Sequence, residues 1–569
     1  MRATSSKWSG AVPVWLLTVE WSGKTFTASS EPISVPTSSG GSVSFHGGLV
    51  SDPDFNFEIP DLGFQVSSYS TPIALYLNGV DFVDQAKKHN HFDNAYCKLD
   101  YVLVKNGTIA NFEDRIELIH GFAKQPVYGH FDKPKSYIEF SLENPIIDSS
   151  AYALAVGKNA QIASKELSAT INTALSPLSS IFISGTTFIE VIETHKGKNI
   201  PFVFGEAGQF YDDQNTLQSF GATPAYVIYA THGASNKIWL AIASHDVDAT
   251  RVRIYDDKGN NRLENVQKFI GRGGDVFCFV DFTHSSGGFQ NPVDDESARF
   301  YCSWSSLYGG GYRSPTTNKP ITTAGDLCLF MLSLGNQEVD YASWYSIKTL
   351  LDSYKFSGYI NQLEVSPLQF LENEIVPFLP ISIIQSNTGL KPVYNVLATG
   401  SKLLAIAHID ASPEFALNGA IITSTDTSNL INDYSLEYVY DPHQNEHKKM
   451  MRITGNTKDL YENVFSNQLS VHSYQKFGTR PQIDKSNFIH DESTASRVCS
   501  DKITFHAIPQ RTVQYVVAPR YGFIDVGDII VLTDPEVGFE RTTLQVILKS
   551  WEDTNWLYTF KVAPKGDQL

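Results

Sequence analysis

The sequence predicts a mainly β fold with a small α/β part, multidomain, with antiparallel β-barrel domains at both ends of the chain. Three observations predict this. Charged residues make up only 18% of the chain while Val, Ile, Thr, Tyr and Phe are frequent, a composition that suits strands. Short alternating runs, separated by Gly, Asn, Asp or Pro, fill the stretch from Val12 to Pro145 and return after Asp501. Helical periodicity with start signals is concentrated between Thr323 and Pro377. At 569 residues the chain exceeds what one core can hold. The expected divisions are an N-terminal barrel over 1–146, a connector over 147–190 and a middle β domain over 191–320. A small α/β domain over 321–400 and a second barrel with a loop-rich insertion over 401–569 complete the chain.

Taken in order, the first domain opens with "AVPVWLLTVEW" (Ala11 to Trp21), which is too short and too interrupted for a signal peptide and alternates like a strand. "KTFTAS", "SVSFHG", "FNFEI", "ALYLNG", "CKLDYVLVKNG", "RIELIHGFA" and "SYIEFSLE" follow, with Asn106-Gly107 as a two-residue hairpin signal. From Ile147 to Thr186 the texture becomes rich in Ala, Leu and Lys, broken by Gly157 and Pro177, and reads as a helical or irregular connector. Strands return with "AYVIYATHG", "KIWLAIASHD" and "TRVRIYDDKGNNRLE", whose Asp256 to Asn261 forms a hairpin tip. "LYGGGYRSPTTNKP" reads as an exposed loop.

Three short helices are then expected. The first carries Leu327, Met331 and Leu334 on one face, opened by Thr323 and Asp326 in capping-box spacing. The second carries Ile347, Leu350, Leu351 and Tyr354 and is followed by Gly358. The third has Ser366 as N-cap and Pro367 in the first helical position. Beyond Val393, "YNVLATG" and "KLLAIAHID" suggest a hairpin, "YSLEYVYD" a strand, and Asp441 to Ser486 a long polar loop or a helix with uncertain ends. "DKITFHAI", "RTVQYVVA", "DIIVLTD", "TTLQVILKS" and "WLYTFKVAP" read as the strands of a closing barrel. Within it, Gly527 lets the chain turn tightly, and Asp528 can accept free backbone N–H groups before Ile529, Ile530 and Leu532 enter the wall.

The net charge of −17 lacks the basic footprint that phosphate contacts require, which argues against sequence-specific nucleic-acid binding. The five cysteines are scattered with no CxxC pair, which argues against a disulfide framework or a zinc knuckle and for folding in a reducing cytoplasm. No apolar run approaches the ~18 residues of a membrane span. "WSGKT" ends like a phosphate loop, but Thr18 stands where the first glycine is needed and the segment alternates like a strand. His89, His91 and Asp93 alternate as metal ligands could, with no further ligand in sight. Asp52, Asp54, Asn56 and Glu58 have the spacing of a calcium loop without its central glycine, and Phe55 and Phe57 between them point to a half-buried strand. Asp256/Asp257 and Asp294/Asp295 are adjacent carboxylates in turn contexts, and no GxSxG elbow is present. No catalytic, cofactor-binding or metal-binding residue is therefore assigned, and no cofactor is expected. Gly527 and Asp528 are the one marked pair, as a structural turn.

Several segments, in order, resemble the central hub proteins at the tail tip or baseplate of long-tailed bacteriophages and gene transfer agents. "IPFVFGE" (Ile200 to Glu206) resembles that family's lead-in to its middle domain, with Phe202 as an extra residue after the proline. "TTAGDLCLFMLSLGNQEVDYASWYSIKTLLDSYKFSGYI" resembles its helical stretch, with Val339-Asp340 between two helices and Gly358-Tyr359-Ile360 as the following strand. "STASRVCSDKITFHAIPQRTVQYVVAPRYGFIDVGDIIVLTDPEVGF" resembles its closing barrel, with the turn at Gly527, Asp528, Ile529 and Ile530. The resemblance spans Ile200 to Val562 and rests on order and texture; the preceding residues match less well. It implies a non-enzymatic structural virion protein, a homotrimer with two barrel-like domains per subunit, made in the host cytoplasm and placed at the virion tail tip. Implied partners are the distal tail protein or tail tube, the tape-measure protein, and tail fibres or a spike. The chain would join tube to fibres or spike and close or gate the DNA channel. The alternative is a receptor-binding, polysaccharide-binding or polysaccharide-degrading tail adsorption protein, although the chain shows no repeat of a 20–50-residue period.

Overall fold

The structure is a computed structural model that describes residues 6–59, 65–67, 70–76, 92, 95–129, 137–143, 200–206, 222–230, 237–270, 276–283, 288–292, 295, 297–304, 309–313, 319–334, 338–361, 366–386, 388–395, 405–424, 427–461 and 463–562. The connector expected over 147–190 lies outside these residues, as do His89, His91, Asp93 and Asp294. Strands dominate, and a small set of helices is grouped in the second half.

Alternation builds the first sheet. Its strands run in the spatial order Ile33–Pro36, Ser42–Gly47, Lys24–Ser29, Val12–Trp21, Tyr96–Lys105, Ile116–Gly129, Tyr137–Glu143, Ser70–Tyr76. Two of its turns are two-residue hairpins, of which the sequence flagged the one at Asn106-Gly107. Ser22 and Gly23 hold φ of 51° and 73°, and Asn106 and Gly107 hold 50° and 76°, the geometry that matches strand twist. "WSGKT" is thus a hairpin tip between paired strands, with Trp21 opposite Lys24.

Among the described residues, the closed barrel lies in the middle of the chain. Thr223–Ala230, Lys237–Ala243, Val276–Thr283, Asn261–Ile270, Arg251–Asp256 and Phe300–Ser303 pair in a ring, which Ala225 opposite Phe300 completes. The expected hairpin tip at Asp256 to Asn261 joins two of these strands.

All three helices start on side-chain caps, of which the sequence marked those at Thr323 and Ser366. The Thr323 hydroxyl accepts from the Asp326 N–H ahead of Ala324–Ser333, Asp340 accepts from Ser343 ahead of Tyr341–Leu351, and Ser366 accepts from Gln369 ahead of Pro367–Phe370. The last helix continues as a π turn, Leu371–Ile375. Leu327, Met331, Trp344, Ile347 and Leu351 pack from these helices into a second core, which also takes Phe202 and Phe204.

Three local readings are corrected. The stretch from Asp441 to Ser486 is largely regular: Asp433–Asp441 and Glu446–Thr454 form a hairpin, followed by helix Gln468–Phe477 and strand Pro481–Lys485. Its polar composition reflects a sheet whose outer side chains meet solvent. "DKITFHAI" is the end of a helix, Glu492–His506, rather than a strand. Ala495, Val498, Cys499 and Ile503 line one side at helical spacing, which the alternating Ile503 and Phe505 had disguised. Among the described residues, the ends of "YNVLATG" and "KLLAIAHID" take other partners. Gly389–Tyr394 pairs with Ile381–Ser386, and Ala407–Asp410 lies parallel to Ile529–Asp534.

The last sheet runs Ala407–Asp410, Ile529–Asp534, Phe539–Glu552, Asn555–Val562, Arg511–Val517, Ala420–Ser424. Among the described residues, the first and last sheets run as open paths of strands.

The helix Glu492–His506 yields a test. The Asp491 carboxylate accepts from the Thr494 N–H at 2.9 Å. Burial opposes the charge of Asp491, but hydrogen bonds from Ser493 and Thr494 outweigh it and hold its pKa below the usual value. Asp491→Ala is expected to cost about 1 kcal/mol in urea unfolding at pH 7. Because the folded value is the lower one, that difference should be full above the ordinary aspartate value of about 3.9 and fade as pH falls through it.

Candidate functional site

Distant parts of the chain are forced together at one seam. A short arm of the N-terminal half does this. Asn56–Glu58 leaves the first sheet and pairs with the long strand Phe539–Glu552, placing Phe57 opposite Lys549. It occupies the edge of that strand beyond the point where Ile529–Asp534 stops at Gln545. Two further backbone bonds extend the ladder, from the Ile59 N–H to the Ile547 carbonyl and from the Trp551 N–H to the Phe55 carbonyl, each 2.8 Å. A few residues later Gln65–Ser67 joins a third sheet, parallel to Ile381–Ser386.

Alternation decides which side of the arm is buried. Phe55, Phe57 and Ile59 face inward, while Asp54, Asn56 and Glu58 face solvent. The inward residues enter one hydrophobic core shared by the first and last sheets, in which Trp15, Leu99 and Tyr101 meet Tyr515, Trp556 and Tyr558. Trp15 packs edge-on against Trp551 at 5.1 Å, Trp551 against Trp556 at 4.9 Å, and Phe55 against Trp556 at 5.4 Å. Edge-to-face pairs of this kind add about 0.5–1.5 kcal/mol each beyond their buried area.

Polar bonds fix the register of this seam. The fully buried Tyr101 hydroxyl donates to the Pro519 carbonyl and accepts from the Trp556 indole N–H at 3.1 Å. Gly522 lies so close that a Cβ there would overlap the Tyr101 hydroxyl. Tyr558 donates to the Tyr521 and Ile524 carbonyls. The Lys549 ammonium, almost wholly buried, donates to the Gly522 carbonyl at 2.8 Å and to Asp525 at 3.0 Å, and lies 4.8 Å from the Trp556 ring.

The Gly527-Asp528 turn adjoins this network. Gly527 has φ of 86°, and a Cβ there would overlap the Val393 side chain. Asp528 accepts from the Asp525 N–H at 2.8 Å and pairs with Lys391 at 3.5 Å. Burial pushes the Asp528 carboxyl up, with Lys391 pulling against it. Burial likewise disfavours the Lys391 ammonium, but Asp528 and Asp525 outweigh it and raise its value. Gln545 donates to the Gly527 and Tyr394 carbonyls, tying the turn to the same hairpin.

The remaining candidates are dispersed. Asp52 and Asp54 line a shallow surface cleft, while Asn56 and Glu58 belong to the arm. Asp256 is buried and its carboxylate caps its own hairpin, accepting from the N–H groups of Lys258, Asn260 and Gln290. Asp295 accepts from Gln290 and Ser297. Among the described residues no group of three or more His, Cys, Asp or Glu side chains is placed to hold a metal. The five cysteines are buried free thiols.

No protein-family model and no curated protein sequence matches the chain. Solved structures of tail proteins do align with it. They include the prophage MuSo2 43 kDa tail protein from Shewanella oneidensis, at 8% identity over 96% of this chain and 98% of that one, with a TM-score of 0.31. A tail protein from Neisseria meningitidis aligns at 8% identity over 97% of each chain, with a TM-score of 0.33. A chain from the virion of a native gene transfer agent particle aligns at 11% identity over 68% of this chain and 89% of its own, with a TM-score of 0.38.

The sequence marked Gly527 and Asp528 but not Tyr101, Lys391, Gly522, Asp525 or Lys549, whose partners lie up to hundreds of positions away. The only local sign of the arm was the alternation of Phe55 and Phe57 with Asp54, Asn56 and Glu58.

Two variants test the seam. Tyr101→Phe strands the Trp556 N–H and the Pro519 carbonyl, and is expected to cost about 1–3 kcal/mol in urea unfolding followed by tryptophan fluorescence. Gly527→Ala is expected to cost at least about 2 kcal/mol, from positive φ and overlap with Val393 together. Val393→Ala in the same chain should recover the part due to overlap and leave the part due to φ.

Proposed function

We propose that this chain is a structural virion protein, the central hub at the distal end of a phage tail. The observation that carries the reading is the arm at Phe55–Ile59, which completes the last sheet and places the first and last sheets in one core. A subunit that ends a DNA-filled tube must transmit load between the face docked on the tube and the face that holds fibres or a spike. Backbone pairing between the two ends of the chain, sealed by aromatic rings, resists their separation. The ordered resemblance from Ile200 to Val562 supports the same reading.

In this reading three subunits close a ring, and two barrel-like units per subunit present a pseudo-sixfold face to a sixfold tube. The N-terminal unit docks on the tube or distal tail protein, and the distal side receives the tape-measure protein, fibres or spike. The Gly527-Asp528 turn serves as a structural corner of the closing unit. A net charge of −17 lets DNA pass without adhering. The role is non-enzymatic.

Gold-labelled antibodies against the chain, applied to purified particles, test this location. Label confined to the distal end of the tail is expected. Label along the tube, on the capsid, or absent from intact and detergent-opened particles would overturn it.

A further inference from the structure

A cleft of about 350 Å³ lies beside the helices of the small α/β unit and is lined by none of the seam residues. That volume falls at the lower end of the range for small-molecule sites, roughly 300–1,000 Å³. Four separate stretches wall it: strand Gly358–Ile360, the π turn Leu371–Ile375 with the helix before it, Tyr440 from strand Asp433–Asp441, and the Asn487-Phe488 pair. Phe370 and Phe488 form its rigid back, edge to face at 5.2 Å, and Phe488 also stacks on Phe204.

Some polar groups of the wall are spent: the Tyr440 hydroxyl donates to Asn445 at 2.8 Å and Asn487 bonds His447 at 3.1 Å. Among the described residues, the half-buried Tyr359 hydroxyl, the side-chain amides of Gln369 and Asn373 and the carboxylate of Glu374 make no hydrogen bond or ion pair. Burial raises the Glu374 pKa, with no cation beside it to offset the cost. The π turn matters here. Such turns place an extra residue in the helix and concentrate at functional sites, and this one presents Asn373 and Glu374 to the cleft.

We infer that this cleft binds a neutral saccharide, a short run of hexose or N-acetylhexosamine units. Among the described residues its wall holds no Lys, Arg or His, which disfavours phosphates and acidic sugars. Amides and phenol hydroxyls both donate and accept, which matches the paired hydroxyls of a pyranose, and a single carboxylate adds two strong acceptors. The Tyr359 and Tyr440 rings offer apolar faces for the C–H side of the sugar. The inference stands apart from the hub reading, because the cleft's chemistry is the same wherever the chain is placed.

The test titrates the full chain with linear trisaccharides of N-acetylglucosamine, glucose and galactose, read by saturation-transfer NMR and calorimetry. At least one should bind with Kd at or below about 1 mM. Gln369→Ala combined with Asn373→Ala alters two exposed side chains and should weaken that binding at least about tenfold, with the urea midpoint unchanged. Glu374→Gln should weaken it severalfold. Absence of binding by all three sugars up to about 10 mM would overturn the inference, as would binding unaffected by both variants. Binding of a hexa-arginine peptide in place of the sugars, lost in Glu374→Gln, would overturn it in favour of a cationic peptide site.

Discussion

The structure depends on one backbone pairing. Three residues, Asn56 to Glu58, sit beside Leu548 to Ser550, almost five hundred positions away. Without them the long strand Phe539–Glu552 would leave part of one edge unpaired, and Phe55, Phe57 and Ile59 would have no core to enter. Burying three such side chains is worth roughly 1.5–3 kcal/mol each, and the ladder bonds prevent any of them from slipping by one position, since a one-residue shift would turn the aromatic side to solvent. Trp15, Tyr101, Trp551 and Trp556 then assemble around the arm because their backbones are already held.

The hairpin Ile381–Tyr394 joins this seam to the rest of the molecule. Its side chains alternate between two cores: Ile384 and Val393 enter the one shared by the first and last sheets, and Ile381, Ile383 and Leu390 enter the one built on the helices. Lys391 reaches Asp528, Val393 fills the space that Gly527 vacates, and the Tyr394 carbonyl takes the Gln545 amide. Two buried lysines facing two aspartates are costly to assemble and costlier to break singly. The cluster therefore specifies one docking of the hairpin against the closing sheet rather than a range of them.

What the sequence made legible was local. The hairpin tip at Asn106-Gly107 and the helix starts at Thr323 and Ser366 were readable because a turn or cap is decided by two to four adjacent residues. The strand reading of Ile503 to Ala507 failed because two apolar residues at spacing two satisfy both periods, and only the preceding Ala495, Val498 and Cys499 break the tie. Polar Glu446–Thr454 was missed because a half-exposed strand with charged outer residues looks like a loop. The seam and the cleft were not legible at all. Tyr101 and Trp556, or Tyr359, Glu374 and Tyr440, become neighbours only through pairing that no window of sequence contains. Gly527 was visible as a turn, but its reason, the Val393 side chain pressed against it, was not.

The stoichiometry of the chain tests most directly our proposal that it closes a ring as a structural subunit. Native mass spectrometry of the purified 63.2 kDa chain, with class averages from electron microscopy, is expected to give a species near three times that mass with a threefold ring and a central opening. Monomers and dimers only, across the accessible concentration range and in the presence of extracted tail components, would contradict it.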